Sequence, residues 1–376
     1  MKHLRRLKHL RWVRLSVILL LVACGTAQTA PTAGPLATEV AATAGPTSGP
    51  DATTFPPPPQ ASPSVGACPI FPLNNIWNTP VDTLPLDPRS AQYIASIGSD
   101  TGLHPDFGAA EWDGGPIGIP FVVVPSTQPE VTINFVEYGD ESDPGPYPIP
   151  ASAPREHGGD HHVLVVREGE CKLYELYHAE QLSPTEWNAG SGAVYDLRSN
   201  ALRPATWTSA DAAGLPILPG LARYEEVAAG EINHALRFTV AQTRDTYVWP
   251  ARHKASSNSS LDLPPMGQRF RLKASFDITP YSPEVQVILR ALKKYGMIIA
   301  DNGSDWYISG APNAGWNDEV LVDELREITG AQFEAVDVSG LQVEADSAAV
   351  VASAAPQDRK LANRGALTQN EIVSYA

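Results

Sequence analysis

Several common catalytic motifs are absent from this sequence of 376 residues. It has no G-x-S-x-G, so the nucleophile motif of most α/β-hydrolases is missing. It also lacks H-E-x-x-H, the phosphate-binding G-x-x-x-x-G-K-[ST] and any C-x-x-C pair. These absences argue against zincin and nucleotide-dependent chemistry, and no cofactor is expected.

Basic residues are also scarce, with 27 Lys and Arg against 42 Asp and Glu and a formal charge of −15. Six of the basic residues lie in the first 14 positions, so cleavage of that segment would take the charge from −15 to −21. Such a chain repels nucleic acid and anionic membrane surfaces. Nucleic acid is not an expected partner and the membrane is one only through a lipid anchor, whereas a neutral or cationic ligand is compatible with the charge.

No apolar run reaches the roughly 20 residues that a membrane span needs. The run LSVILLLVA follows the basic start and leads into LVACG at Leu21–Gly25. This arrangement resembles a bacterial lipoprotein signal, in which the Cys becomes the lipidated N-terminus. The resemblance implies a signal peptide over 1–23, lipidation of Cys24 and an extracellular protein anchored to the bacterial membrane by that lipid. The alternative is an ordinary signal peptide that contains a Cys.

Cysteine is rare, with three residues in the chain. If Cys24 is lipidated, Cys68 and Cys171 remain, and two remaining cysteines in an exported protein favour a disulfide between them. Such a bond would join the start of the domain to its middle. The alternative is a pair of free buried thiols.

Large apolar residues are almost absent from residues 24–66, which are rich in Thr, Ala, Pro and Gly. This composition predicts an extended, lipid-anchored spacer. Aromatic and branched residues begin at CPIFPLNNIWNTPV and continue without a break, so we predict a single β-rich domain over 67–338. Residues 339–376 are rich in Ala and Ser and are predicted to be a disordered tail.

Most segments of the predicted domain have β character. GIPFVVVP, VTINFVEY, HHVLVV, CKLYELYHA, HALRFTV, TYVWPARH and FRLKASFDI are short, rich in Val, Tyr and Phe, and bounded by Pro or Gly. Helices are predicted over 282–296 and 317–330 from their capping residues and terminal glycines. Between them, MIIADNGSDWYISG predicts strand, tight turn and strand. The expected fold is mainly β, an antiparallel β-sandwich or barrel with a few packed helices.

Three of the nine histidines fall within PREHGGDHHVLVV, residues 154–166. In a strand HHVLVV, His161 and His162 would point to opposite faces, so at most two of the three histidines should reach one site. Asp160 is placed to orient and charge His161 for acid–base work. The alternative is a solvated loop that leads into a strand.

A second polar cluster lies in NHALRF and PARHKASSN. Arg237 and Arg252 are suited to hold a carboxylate or sugar hydroxyls. His253 stands at a predicted strand end before a polar loop and is placed for catalysis. His234 shares its face with Leu and Phe, so a structural role is favoured for it.

His104 and Asp106 form an H-x-D pair, the first part of a two-histidine, one-carboxylate iron site. His253 is the candidate for the distal histidine. Pro105 between the two residues and the lack of a preceding strand weigh against this interpretation, so no metal ligands are assigned.

Tryptophan stands beside acidic residues and glycine in EWDGGPIG, EWNAGSGAVYD, RPATWTSADAAGLP and DWYISGAPNAGW. Sugar sites often stack ring faces on such side chains, while carboxylates bind hydroxyls or act as acid and base. We therefore predict substrate contacts from Trp187, Trp207 and Trp306; alternatively, the indoles cover the core beneath long loops. The candidate carboxylates are Asp113, Glu175, Asp196, Asp211 and Asp301.

Three stretches are similar to a family of secreted bacterial proteins: NNIWNTPVDTLP, WTSADAAGLPILPGLARYEEVAAGEINHALRFTV and LKKYGMIIADNGSDWYISGAPN. The similarity covers about residues 70–338. It brings no activity and no catalytic residue with it, but it implies one intact domain to which signal and spacer are attached.

These patterns together favour a surface-anchored, carbohydrate-active enzyme, a hydrolase or lyase of extracellular polysaccharide. The predicted catalytic residues are His161 and His253 as acid–base groups, Asp160 as the orienting group and Asp301 as a second carboxylate. This hypothesis requires that they converge in one cleft lined by tryptophan. A non-catalytic surface protein that binds glycan or protein, and a metal-dependent enzyme with a His/Asp site, remain as alternatives.

Overall fold

The computed structural model describes residues 62–351. The predicted signal peptide, Cys24, most of the spacer and the end of the predicted tail lie outside the described residues. The described part forms open β-sheets with four α-helices, which confirms the predicted mainly β fold class. No helix within 62–351 is long and apolar enough to cross a membrane.

The strands, in chain order, are β1 (Ser64–Val65), β2 (Cys68–Pro69), β3 (His104–Asp106), β4 (Glu111–Trp112), β5 (Gly115–Pro116), β6 (Phe121–Val124), β7 (Thr132–Phe135), β8 (Val163–Arg167), β9 (Lys172–Tyr177), β10 (Glu180–Ser183), β11 (Glu186–Ala189), β12 (Ser191–Asp196), β13 (Leu236–Val240), β14 (Arg269–Leu272), β15 (Met297–Asn302), β16 (Tyr307–Ser309) and β17 (Phe333–Val336). The α-helices are α1 (Ser90–Ile97), α2 (Tyr224–Ala229), α3 (Pro283–Lys294) and α4 (Asp318–Arg326).

The largest sheet has the strand order β17-β14-β15-β13-β16-β3. Strand β13 lies parallel to β15 and antiparallel to β16. The alternation predicted for β13 is present, because Leu236, Phe238 and Val240 are fully buried on one face. Arg237 on the other face is buried too. A buried guanidinium needs partners within the protein, so this face of β13 requires polar groups opposite it.

A second sheet has the order β12-β9-β8-β6. Its inner strand β8 is buried on both faces. Leu164 and Val166 belong to the main core, whereas Val163 and Val165 pack into a second core with the three-stranded sheet β10-β11-β7. The main core also contains the apolar side chains of β13 and β15, so it joins the two larger sheets.

The sheets combine antiparallel and parallel pairs. Strands β6 and β8, β7 and β11, β13 and β15, and β3 and β16 run parallel. The sequence predicted the antiparallel class and did not reveal these four pairs.

Both predicted helices are present, and each begins at its predicted cap. The side chain of Ser282 accepts a hydrogen bond from the Val285 N–H at the start of α3, and Asn317 accepts one from the Val320 N–H at the start of α4. The strand–turn–strand expected between them is formed by β15 and β16.

The predicted disulfide between Cys68 and Cys171 is confirmed. It joins β2 to the turn between β8 and β9.

Residues 339–351, which their composition assigned to a disordered tail, pack on the domain. Ala349 forms a bridge with Asn75, and the Trp249 indole donates to the Ser347 carbonyl at 2.9 Å. The structured region therefore extends beyond the predicted boundary at 338.

Candidate active site

A polar cavity of about 610 Å³ brings together residues that are distant in the sequence. Segments 208–212 and 253–257 supply much of its wall. Tyr138 and Tyr177 add two aromatic rings, and Asp301 adds a carboxylate from the end of β15.

Three of the four predicted catalytic residues line this cavity. Asp160 reaches it from the segment before β8, His253 from the loop after residue 250, and Asp301 from β15. The cavity therefore holds three of the four residues that the single-cleft hypothesis brings together, but it lacks His161 and the tryptophan lining that the hypothesis requires.

Asp301 is a carboxyl group of the cavity lining whose pKa is raised. Its side chain is about a quarter exposed, and its Oδ1 accepts the Asn302 N–H at 2.6 Å. Burial and the nearby charge of Asp211 raise the pKa of Asp301 to about 7, against the opposing effect of Arg237. Asp301 is consequently available as a proton donor near neutral pH.

Arg237 supplies the positive charge beneath the cavity. Its Nε and Nη2 donate to the two oxygens of Asp211 at 2.6 and 2.8 Å, and its Nη1 donates to Ser309 Oγ at 2.5 Å. Its Nη2 lies at 3.8 Å from Asp301 Oδ2. Burial lowers the pKa of Arg237, but the charge of Asp211 raises it by more. The pKa of Arg237 is therefore raised above its ordinary value. The bidentate pair fixes Asp211 in the cavity wall.

His162 is a buried imidazolium that supports the same wall. Its Nδ1 donates to Glu156 Oε2 at 2.5 Å, and its Nε2 donates to the Ala210 carbonyl at 3.0 Å. Both ring nitrogens therefore carry protons. Burial disfavours this charge, yet Glu156 outweighs it and raises the pKa of His162 to about 9.

Glu175 is a fully buried carboxyl group on β9. Its Oε1 accepts the N–H groups of Ile217 and Leu218 at 3.0 and 2.9 Å. Burial raises the pKa of Glu175 to about 7, although these two hydrogen bonds oppose the shift. Because 217–218 end the segment that carries Asp211, Glu175 anchors the cavity wall from the core side.

The buried charges divide into matched and unmatched groups. Glu156 is matched by His162, and Asp211 by Arg237. Asp301 shares Arg237 at the longer distance, and Glu175 has no cation within 4 Å among the described residues. Of these four carboxyl groups, Asp301 and Glu175, which have no close cation of their own, are the two whose pKa is raised to about 7.

His253 is held in a defined tautomer. Its Nδ1 donates to the Ala212 carbonyl at 2.8 Å. In the neutral ring this leaves Nε2 as the basic nitrogen, and it lies 4.0 Å from Glu141 Oε2. His253 is thus able to accept a proton or a substrate hydrogen bond through Nε2.

The remaining predicted polar residues lie elsewhere. His161 is not part of the cavity lining; its ring stacks on His178 with centroids 6.3 Å apart. Arg252 donates to Asp346 at 2.5 Å and to the Ala345 carbonyl at 2.8 Å, so it fastens the end of the described chain.

The three tryptophans predicted to contact substrate also lie outside the lining. Trp187 is buried in the second core, and Trp207 lies 5.6 Å from the Arg203 guanidinium. Trp306 is fully buried and donates to the Gly98 carbonyl at 2.9 Å. Tyr138 and Tyr177 supply the aromatic surface instead, and no sequence pattern distinguished them from the other tyrosines.

The H-x-D pair is split between two environments. His104 packs on Tyr307 with ring centroids 4.1 Å apart. Burial raises the pKa of Asp106, and so do the charges of Glu156 and of Asp160 in the cavity lining. Within residues 62–351, no group of three or more His, Cys, Asp and Glu side chains is arranged to hold a metal ion.

No family model, curated protein or solved structure matches this chain.

Proposed function

We propose that this protein is a surface-anchored hydrolase of neutral extracellular polysaccharide. The observation that supports this most directly is the meeting of Asp301, Asp160 and His253 in one polar cavity. Glycoside hydrolysis requires a carboxylic acid that keeps its proton and a second group that accepts one from water.

Asp301 is the proposed general acid. Its raised pKa lets it deliver a proton to the glycosidic oxygen as the bond to the leaving sugar breaks. Asp160 is the proposed base because its side chain lines the same cavity. In this role it accepts the proton of the water that attacks the anomeric carbon. His253 Nε2 is free to bind a substrate hydroxyl.

The cavity charge favours a neutral substrate and hydrolysis. A lyase that acts on uronates must neutralise the substrate carboxylate, and the guanidinium of Arg237 is already engaged by Asp211. Asp160 adds negative charge to the lining, the charge of Asp211 is balanced by Arg237, and Lys254 is an exposed cation of the lining. The lining therefore offers the carboxylate of an anionic sugar no free guanidinium to bind.

The N-terminal sequence supports the proposed location. The basic segment, the short apolar run and Cys24 resemble a lipoprotein signal, and the Pro-rich segment after it would hold the domain away from the membrane.

The test uses the whole mature chain on a panel of neutral, amino-bearing and uronate polysaccharides, with new reducing ends and unsaturated products as readouts. We expect Asp301→Asn to lower kcat by about 10²- to 10⁴-fold. Because the acid must be protonated, wild-type activity should fall as the pH rises through about 7. Asp262→Asn, a change at an exposed aspartate outside the cavity, is the control.

Other outcomes would change the proposal. Retention on a glycan without turnover would favour the non-catalytic binding protein. Unsaturated products would replace hydrolysis with elimination. Neither turnover nor retention on any polymer would contradict a carbohydrate substrate altogether.

A further inference from the structure

The hairpin of β4 and β5 displays an exposed tryptophan. Trp112 is 68% exposed, whereas tryptophan is usually well buried. The hairpin turns through Asp113 and Gly114, both with positive φ, of 51° and 93°. This is the backbone of a tight two-residue turn.

The structure fixes this hairpin at its base. The N–H groups of Ala109 and Ala110 donate to the two oxygens of Asp318 at 2.7 and 2.8 Å. Beyond the hairpin, the Ile119 N–H donates to the Gly310 carbonyl at 3.0 Å. Trp112 is therefore presented on an anchored element rather than on a free loop.

His157 provides a second ring beside Trp112. Trp112 pairs with Gly115 across the hairpin, so their side-chain directions share one face. A Cβ placed on Gly115 would lie 2.3 Å from His157 Cγ, so the imidazole occupies that face next to Trp112. His157 Nε2 donates to the Asp113 carbonyl at 2.9 Å, which holds the imidazole there.

The segment that follows His157 leads to the proposed active site. His157 stands three residues before Asp160, and a chain of that length spans at most about 11 Å. Gly158 and Gly159 between them are exposed. A ligand in the cavity can therefore extend over this segment to the hairpin without meeting a large side chain from it.

We propose that Trp112, with His157 beside it, is an outer subsite that stacks on a sugar ring of the polysaccharide chain held in the cavity. The inference rests on the proposed function for its ligand class. Sugar rings present C–H groups on their faces and hydroxyls at their edges. An indole meets the faces, and the exposed carboxylate of Asp113 in the adjoining turn is able to bind the edges.

The test measures binding separately from turnover. Affinity electrophoresis of the whole mature chain in gels with laminarin, dextran, galactomannan or hydroxyethylcellulose gives the polymer affinity. We expect Trp112→Ala to weaken it about tenfold and Trp112→Phe to retain most of it. Leu182→Ala, which truncates another exposed apolar side chain (49%), should leave affinity unchanged.

The outcomes separate this subsite from the catalytic proposal. Polymer retention that depends on Trp112 in a chain without turnover would support the subsite and contradict the hydrolase. Turnover that depends on Asp301, with polymer affinity the same in wild type and Trp112→Ala, would overturn the subsite alone. No retention on any polymer would overturn the subsite, while the reducing-end assay would still decide the hydrolase.

Discussion

Glu175 shows how one residue links burial to function. A carboxyl group with no exposed surface and no cation beside it costs stability when it ionises. An apolar side chain at this position of β9 would avoid that cost but would leave the N–H groups of Ile217 and Leu218 without an acceptor. The glutamate thus exchanges some stability for a fixed cavity wall.

This exchange predicts a specific pH dependence of stability. The pKa of Glu175 is raised from 4.5 to about 7 in the folded chain, so between these values the folded state binds more protons than the unfolded state. Its contribution to stability is therefore largest below about pH 4.5, is lost as the pH rises to about 7, and is constant above that.

The variant Glu175→Gln does not titrate, so it isolates this effect. The free energy of unfolding of wild type, relative to this variant, should fall by about 3 kcal/mol between pH 4.5 and pH 7.5. Urea unfolding at several pH values measures the difference, and Glu180→Gln, at an exposed position, should follow wild type. A difference that does not vary with pH would show that Glu175 is ionised throughout.

The sequence predicted individual site residues unevenly. Asp160 was identified because it precedes a predicted strand, His253 because it follows a segment predicted to be a strand, and Asp301 because it is a carboxylate near a tryptophan in a predicted loop. His161 was preferred to His162, but β8 begins at Val163 and His161 has a positive φ of 50°, so His162 is the one turned into the protein. Which of the two histidines points into the protein depends on tertiary contacts. The alternation of side chains along a strand does not predict those contacts.

Among the structural elements, β13 has the greatest influence on the site. Its apolar face packs in the main core, and Arg237 on its other face meets Asp211 from the 208–212 segment. The ion pair therefore joins the largest sheet to the cavity wall. Two side chains, rather than a strand pairing, make this connection.

Removing one member of this pair should be costly. Arg237→Met leaves the buried carboxylate of Asp211 without its cation, and we expect a loss of about 3–5 kcal/mol in the free energy of unfolding. Adding Asp211→Asn removes the unpaired charge, so the double variant should recover part of that loss. Urea unfolding of the set measures both effects, and a double variant less stable than Arg237→Met would contradict the argument.

The elements themselves were more predictable than their arrangement. Capping residues located α3 and α4, and β-branched runs located most strands. TYVWPARH was predicted to be a strand, yet it forms only a bridge from Tyr247 to Met266, since Pro250 has no N–H for a ladder. Parallel partners such as β3 and β16 are about 200 residues apart, and no local pattern encodes such a pairing.

At the scale of the whole molecule, the Cys68–Cys171 bond determines how the start of the domain is held. Strand β2 is short and pairs with the equally short β1. Two such strands give little independent stability. The disulfide ties this start to the second sheet across a sequence separation of 103 residues. The beginning of the domain, which follows the predicted spacer, is thereby secured to the centre of the fold.

The length of that closed loop predicts the effect of opening it. In the chain-entropy account, a loop of about 100 residues stabilises the folded state by about 4–5 kcal/mol, because the unfolded chain is restricted. The double variant Cys68→Ala/Cys171→Ala should therefore unfold at a lower temperature, by about 8–10 °C for a domain of this size. Thermal unfolding followed by circular dichroism measures the shift. Neither cysteine lines the cavity, so polymer binding and turnover well below the transition should match wild type. Equal melting temperatures would mean that β1 and β2 dock without the bond, whereas lost activity at low temperature would mean that the bond also shapes the cavity.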